Sequence, residues 1–274
     1  MERPRLVASD VDGTLLDATE RISERNRAAV HRVVAAGVPF VLVTGRPPRW
    51  IRPVVEQLGY AGPAICANGA VLYDASADRV LHAATLNPAL LRDAAQALDT
   101  ALPGARLAVE LAAPCAGTDG AGALAGEFFA EPDYTHPWPG ADSETAPREF
   151  ILSRPAIKLL VRLRDAASDT MAAAVREILG AKLDVTFSTG HGLIELSAPG
   201  VTKGTGLAQL AADLGVLPVD VVAFGDMPND LPMLEWAGAG VAMANAHQDV
   251  LDVADEITAP NSEDGLAMVL ERWF

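Results

Sequence analysis

Short apolar runs alternate with amphipathic stretches through the first 83 residues. Leu6 to Ser9, Phe40 to Val43 and Ala64 to Ala67 are uninterrupted apolar or small-residue runs, as expected of strands buried on both faces. Between them, Ser23 caps a predicted helix carrying Ala28, Ala29, Val33 and Val34 and stopping at Gly37, and a second helix runs from about Pro48 to Leu58 before Gly59. Strands separated by helices imply βαβ units and a parallel sheet.

The pattern changes near Leu81. Asn87-Pro88 opens a helix reaching about Leu98, Arg106 to Leu111 reads as a strand, and residues 112–149 carry no assignable period. A strand over Ile157 to Leu163, a helix capped by Ser168 and ending at Gly180, and a strand over Val185 to Ser188 complete an α+β unit. The βα rhythm then returns. A strand at Leu193 to Leu196 precedes a helix capped by Thr202 and closed by Gly215; strands follow at Val219 to Phe224 and Val241 to Ala244, and a last helix spans Asp264 to Trp273. The expected fold is α/β, a doubly wound Rossmann-like parallel sheet built from residues 1–83 and 191–274, with residues 84–190 inserted as an α+β domain.

Composition narrows the partners. The chain has 274 residues, half of them apolar, which excludes a disordered chain, and only 5% aromatic, so Ala, Val and Leu must build the core. A formal charge of −15 argues against nucleic acid and against an anionic membrane surface, but not against a small anion held by a few local cations. Cys66 and Cys115 form neither a disulfide framework nor a thiolate metal site, and the amino terminus runs into a strand without an apolar signal segment; a cytoplasmic location is expected. Nothing in the chain reads out an oligomeric state.

Chemistry gathers at the ends of the predicted core strands, where ligands bind in open parallel sheets. Strand one ends in Asp10-Val11-Asp12-Gly13, and strand two in Thr44-Gly45-Arg46. The strand at Val219 to Phe224 runs into Gly225-Asp226-Met227-Pro228-Asn229-Asp230. Each has an ordinary reading: Asp-x-Asp-Gly as turn chemistry, Thr44 as a cap, Arg46 as a surface cation, Asp230 as a helix start. Lys203, one of three lysines beside Lys158 and Lys182, occupies a first helical turn, where the helix dipole disfavours a cation unless an anion offsets it. Together they offer oxygen donors suited to Mg²⁺, a carboxylate able to attack phosphorus, a second carboxylate for proton transfer, and a hydroxyl, a lysine and backbone N–H groups for phosphoryl oxygens. His191, Lys158, His136, Trp138 and Cys66 are read as incidental or structural.

These segments resemble, in order, the four motifs of the haloacid dehalogenase superfamily of phosphohydrolases. DVDGTLLD, TGR, the lone lysine and GDMPND are most similar to its Cof-type branch, whose large α+β cap lies between motifs two and three, and Ala67-Asn68-Gly69-Ala70 resembles a turn of that branch. The resemblance implies that Asp10 is nucleophile and metal ligand, and that Asp12 is general acid and then base, ligating Mg²⁺ through its carbonyl. It makes Asp226 the third protein ligand and sets Val11, Thr44, Gly45, Arg46, Lys203 and Asn229 around the phosphate, with Asp230 and Asn68 in support. It further implies a Mg²⁺-dependent phosphatase for a small phosphorylated metabolite, a sugar phosphate foremost. Other readings are a flavin or pyridoxal phosphate phosphatase, a phosphosugar mutase and, outside enzymes, a receiver-like phospho-switch. Receivers carry no inserted domain, which counts against the last.

Overall fold

The computed structural model of the protein describes residues 2–111, 128–137 and 143–274; Cys115 and Trp138 lie outside the described residues. The chain opens with β1 (Leu6–Ser9), α1 (Glu24–Ala35), β2 (Phe40–Val43), α2 (Arg52–Leu58), β3 (Pro63–Cys66), β4 (Val71–Asp74) and β5 (Arg79–Ala83). It continues through α3 (Pro88–Ala101), β6 (Arg106–Leu111), β7 (Phe128–Ala130), β8 (Glu144–Thr145), α4 (Arg148–Ile151), β9 (Ala156–Ala167), α5 (Ser168–Leu179), β10 (Asp184–Thr186) and β11 (His191–Ser197). It closes with α6 (Lys203–Asp213), β12 (Val221–Gly225), α7 (Leu231–Trp236), β13 (Ala239–Met243), α8 (Gln248–Val253), β14 (Glu256–Thr258) and α9 (Gly265–Leu270). Two compact units result: Met1–Leu81 with Thr202–Phe274, and His82–Val201.

The first unit holds an eight-stranded sheet in the order β14-β13-β12-β1-β2-β3-β4-β5. Strands β14 to β3 in that order are parallel, and β4 turns back antiparallel on β3. From β1 the chain winds outward through β2 and β3, then returns on the other side as β12, β13 and β14. The strand order therefore reverses between β1 and β12, where side chains beyond the strand ends face a crevice. Leu6 and Ala8 of β1 pack with Val41, Val43, Val221 and Ala223 against Leu207, Leu210 and Ala211 of α6. Val7 between them is 0% exposed, so both faces of β1 are covered, as an unbroken apolar run requires.

Local signals place the helix starts. Ser23, Asn87 and Thr202 each accept a hydrogen bond from a backbone N–H in the first turn, those of Asn26, Leu90 and Thr205. Ser168 differs from expectation: it is the first helical residue of α5, and its hydroxyl accepts from the Leu193 N–H at 3.2 Å. The helix expected from Pro48 starts as a separate 3₁₀ turn, Pro48–Trp50, before α2.

The second unit is a six-stranded mixed sheet, β10-β11-β9-β6-β7-β8, antiparallel except for the β7–β8 pair. α5 packs against β9 and β11 and beside α3. Residues 191–197, expected to re-enter the core sheet, instead pair antiparallel with β9, which moves the return to the first unit to Thr202. An apolar run such as Leu193-Ile194 satisfies either sheet; the partner strand decides. Lys158, read as structural, is buried on β9 in an ion pair of 2.7 Å with Glu195 of β11. His191 is exposed at the start of β11. Among the described residues no helix is long and apolar enough to cross a membrane.

Candidate active site

Neighbouring strand ends of the first unit carry the site. Asp10 follows β1 and its N–H donates to the Phe224 carbonyl of β12 at 2.9 Å, so the sheet ladder itself sets β1's exit beside that of β12. Asp226 follows β12 directly. Thr44, after β2, donates its N–H to Ile65 of β3 (2.8 Å) and accepts at its carbonyl from the Asn68 N–H (3.0 Å), while the Ala67 N–H donates to the Arg46 carbonyl (2.9 Å). The Thr44–Arg46 loop and the Ala67–Gly69 turn are thereby stitched together. Ala67, Asn68 and Gly69 all have left-handed φ, at 51°, 57° and 100°. A Cβ on Gly69 would overlap the Thr202 carbonyl oxygen, so only glycine lets this turn lie against the start of α6.

That contact sets Lys203 in the interior. Its side chain is 1% exposed, and its ammonium bridges Asp10 Oδ1 (2.5 Å) and Asp230 Oδ1 (2.6 Å). Asp230 Oδ2 accepts from the N–H groups of Asp226 (3.0 Å) and Met227 (2.9 Å). The oxygens of Asp10, Asp226 and Asp230 lie within 4.8 Å of one another. Three carboxylates around one ammonium leave negative charge in a buried place. Burial first, then the charge of Asp230, pushes the Asp10 carboxyl well above the usual range, although Lys203 pulls it down. The same two causes push Asp226 up to about 7. Burial alone would lower the Lys203 ammonium, but Asp10 and Asp230 outweigh it and hold it above the ordinary lysine value.

The cluster fits a divalent cation by its donor chemistry. Hard oxygen donors are present in excess of their countercharge, two of the carboxyls are raised by burial and then by the charge of Asp230, and Asn229 Oδ1 is buried with no hydrogen-bond partner among the described residues. Of the three carboxylates, Asp230 is the most engaged, accepting from Lys203 and two N–H groups, whereas Asp10 and Asp226 accept fewer bonds and keep more lone pairs for a cation.

Asp12 stands apart. Its side chain is 53% exposed and gripped by the Arg46 guanidinium, with Nε 2.9 Å from Oδ2 and Nη2 2.5 Å from Oδ1. Asn229 Nδ2 donates to Asn68 Oδ1 at 3.1 Å, and the Thr44 hydroxyl accepts from the Arg46 N–H at 3.0 Å. Val11 is buried, and Gly45 passes close to the Asn68 amide oxygen. The sequence reading missed several supports. The Thr14 hydroxyl donates to Asp226 Oδ1 (2.9 Å), Asn245 Nδ2 to the Gly13 carbonyl (2.9 Å), and Asn261 Nδ2 to the Leu16 carbonyl (2.7 Å). Thr14 lay inside the first motif and could have been singled out; Asn245 and Asn261 carry no local signal.

The acidic turn after β1, Asp10-Val11-Asp12-Gly13, lacks the glycine-rich helix start on which dinucleotide sites of such sheets hold a pyrophosphate. A parallel α/β sheet with a cation-fitting carboxylate cluster at its switch point suits phosphoryl-transfer chemistry. The chain is a member of the haloacid dehalogenase-like hydrolase family, which matches residues 7–270. It is 30% identical over 274 residues to the 5-amino-6-(5-phospho-D-ribitylamino)uracil phosphatase YcsE of Bacillus subtilis, covering 98% of this chain and 95% of that one. It is 27% identical over 272 residues to a phosphoglycolate phosphatase of Methanothermobacter thermautotrophicus, covering 98% and 99%. A solved haloacid dehalogenase-like hydrolase from Bacteroides thetaiotaomicron superposes with a TM-score of 0.76 at 26% identity, over 99% of this chain and all of that one. The protein is an enzyme, a phosphoric monoester hydrolase of the haloacid dehalogenase type. The receiver-like reading falls with that membership.

Proposed function

We propose that the enzyme hydrolyses phosphates of small polyhydroxylated alcohols, sugar phosphates foremost, through a phosphorylated Asp10. The observation that carries this reading is the Lys203 ammonium shared between Asp10 and Asp230 beside Asp226. Lys203 occupies Asp10 Oδ1, and we assign Oδ2 to the attack. That oxygen bonds to phosphorus while the ester P–O bond breaks, and Asp12 delivers a proton to the departing alkoxide. Asp12 then takes a proton from water, whose oxygen bonds to the same phosphorus and frees Asp10 and inorganic phosphate. Thr44, the N–H groups near Val11 and Gly45, Lys203 and Asn229 are the donors for the phosphoryl oxygens. Asp10, Asp226 and the Asp12 carbonyl would hold Mg²⁺, which supplies countercharge to the carboxylates and the phosphoryl group.

Support for the substrate class is chemical. The named substrates of the two relatives, a phosphoribitylamino-uracil and phosphoglycolate, are phosphates of small alcohols. A net charge of −15 repels polyanions at long range, so phosphoproteins and nucleic acids are disfavoured. The test is phosphate release from a panel of hexose, pentose, polyol, flavin and pyridoxal phosphates with Mg²⁺, run beside Asp10→Asn. Wild-type turnover centred on the sugar and polyol phosphates, and a loss of several orders of magnitude in a folded Asp10→Asn protein, are expected. Transfer of the group to a second hydroxyl without free phosphate would make it a mutase, and an active Asp10→Asn would end the covalent reading.

A further inference from the structure

Of the acidic groups at the strand ends, three are immobilised by burial and one is not. Asp10, Asp226 and Asp230 are at most 5% exposed, whereas half of the Asp12 side chain faces solvent. A surface carboxylate samples several rotamers, and a proton-transfer group misplaced by an ångström loses much of its effect. Among the described residues, the side-chain partner of the Asp12 carboxylate is the Arg46 fork. Nε lies 3.1 and 2.9 Å from its two oxygens and Nη2 lies 2.5 Å from Oδ1.

Arg46 is itself fixed. Its side chain is 15% exposed, its N–H donates to Thr44 Oγ1, and its carbonyl accepts from the Ala67 N–H. Glu20 stands 3.8 Å from Nη2 on the outer side. The Nε and Nη2 edge of the guanidinium, its converging bidentate face, is engaged by Asp12. A planar fork with two converging donors fixes both position and rotation of a carboxylate, which a lysine ammonium does not.

We infer that Arg46 is a positioning residue: it holds the Asp12 side chain in place for proton transfer and does not bind the phosphoryl group. This rests on the reading of Asp12 given above and changes the role expected for Arg46 from the sequence. It carries a distinctive consequence. Proton delivery matters for a poor alkoxide leaving group and hardly at all for nitrophenolate, so the two esters separate a loss of proton transfer from a loss of phosphate binding.

The experiment uses the full-length enzyme with Mg²⁺ and compares wild type, Arg46→Met, Arg46→Lys, Asp12→Asn and the Arg46→Met/Asp12→Asn double variant. Each is assayed on a sugar phosphate and on p-nitrophenyl phosphate, with inorganic phosphate as product inhibitor. For Arg46→Met, kcat/KM, which reports the steps up to phosphorylation of Asp10 and not the shared attack of water, should fall by about ten- to a hundredfold on the sugar phosphate and by less than about threefold on the nitrophenyl ester. The inhibition constant for inorganic phosphate should stay within about twofold of wild type, because no phosphoryl contact has been removed. Arg46→Lys should recover little, and the double variant should be no slower than Asp12→Asn alone. Circular dichroism identifies a misfolded variant, in which case Arg46→Lys alone carries the comparison.

Equal losses on both esters with a weakened grip on inorganic phosphate would make Arg46 a phosphate ligand and overturn the assignment. Multiplying losses in the double variant would do the same. Failure of the covalent reading shows separately, as full activity of Asp10→Asn, and would remove this role with it.

Discussion

Lys203 is the residue on which the interior charge balance turns. A lysine at 1% exposure is tolerated because two carboxylates within 2.6 Å replace the water it has lost. Removing the ammonium leaves Asp10 and Asp230 buried without it, so Lys203→Met should cost about 3–5 kcal/mol in metal-free protein at neutral pH, read from urea denaturation. The cost should shrink toward pH 5, because Asp10 and Asp226, whose carboxyls are raised, take up protons and relieve the repulsion themselves. An unchanged urea midpoint would mean that Lys203 does not balance these carboxylates. The exposed Asp12 needs a different support, and the half-buried Arg46 supplies it.

At the scale of elements, the site depends on loops bolted to one another rather than on any one strand. The Ala67–Gly69 turn ties the end of β3 to the Thr44 loop and lies against the first turn of α6. Gly69→Ala combines a left-handed φ of 100° with a Cβ in the Thr202 carbonyl, whereas Gly37, at φ 76°, has open space around the same position. Gly37→Ala should therefore cost only the strain of the left-handed conformation, about 1–2 kcal/mol, with kcat intact. Gly69→Ala should cost clearly more and also lower kcat, because Thr202 and Lys203 must shift. Equal urea midpoints for the two variants, with equal kcat, would show that the turn does not hold α6 in register.

For the whole molecule, the buried Asp10, Asp226 and Asp230 cluster links stability to pH. Asp226, pushed up to about 7, keeps a proton in the folded state that the unfolded chain gives up near the ordinary aspartate value. The folded state then binds more protons than the unfolded one between about pH 4 and 7, so the contribution of this group to metal-free stability falls as pH rises through that window. On the proposed function, bound Mg²⁺ would replace those protons. Its addition should raise the melting temperature by more at pH 7.5 than at pH 5, and Asp226→Asn should raise the metal-free melting temperature at pH 7.5 while abolishing most of the Mg²⁺ effect. A Mg²⁺ shift of the same size at both pH values, retained in Asp226→Asn, would place the cation elsewhere.

Much of this protein is legible in the order of its residues because the signals are local. Caps at Ser23, Asn87 and Thr202 act within three residues, and the runs at β1 and β2 announce themselves by apolarity alone. Acidic residues at the ends of β1 and β12 mark the site because a parallel sheet brings its strand ends to one edge. What tertiary structure alone decided are pairings between distant positions. The run at Leu193 to Leu196 suits either sheet, and only its ladder with β9 assigns it to the second unit. The Thr14 hydroxyl meets Asp226 across 212 residues, and Asn261 holds the loop after β1 across 245. Arg46 faces Asp12 rather than open solvent because the β1 and β2 exits are adjacent. A side chain's propensity is set by its neighbours in the chain, but its partner is set by which strands lie side by side, and that is a property of the folded sheet.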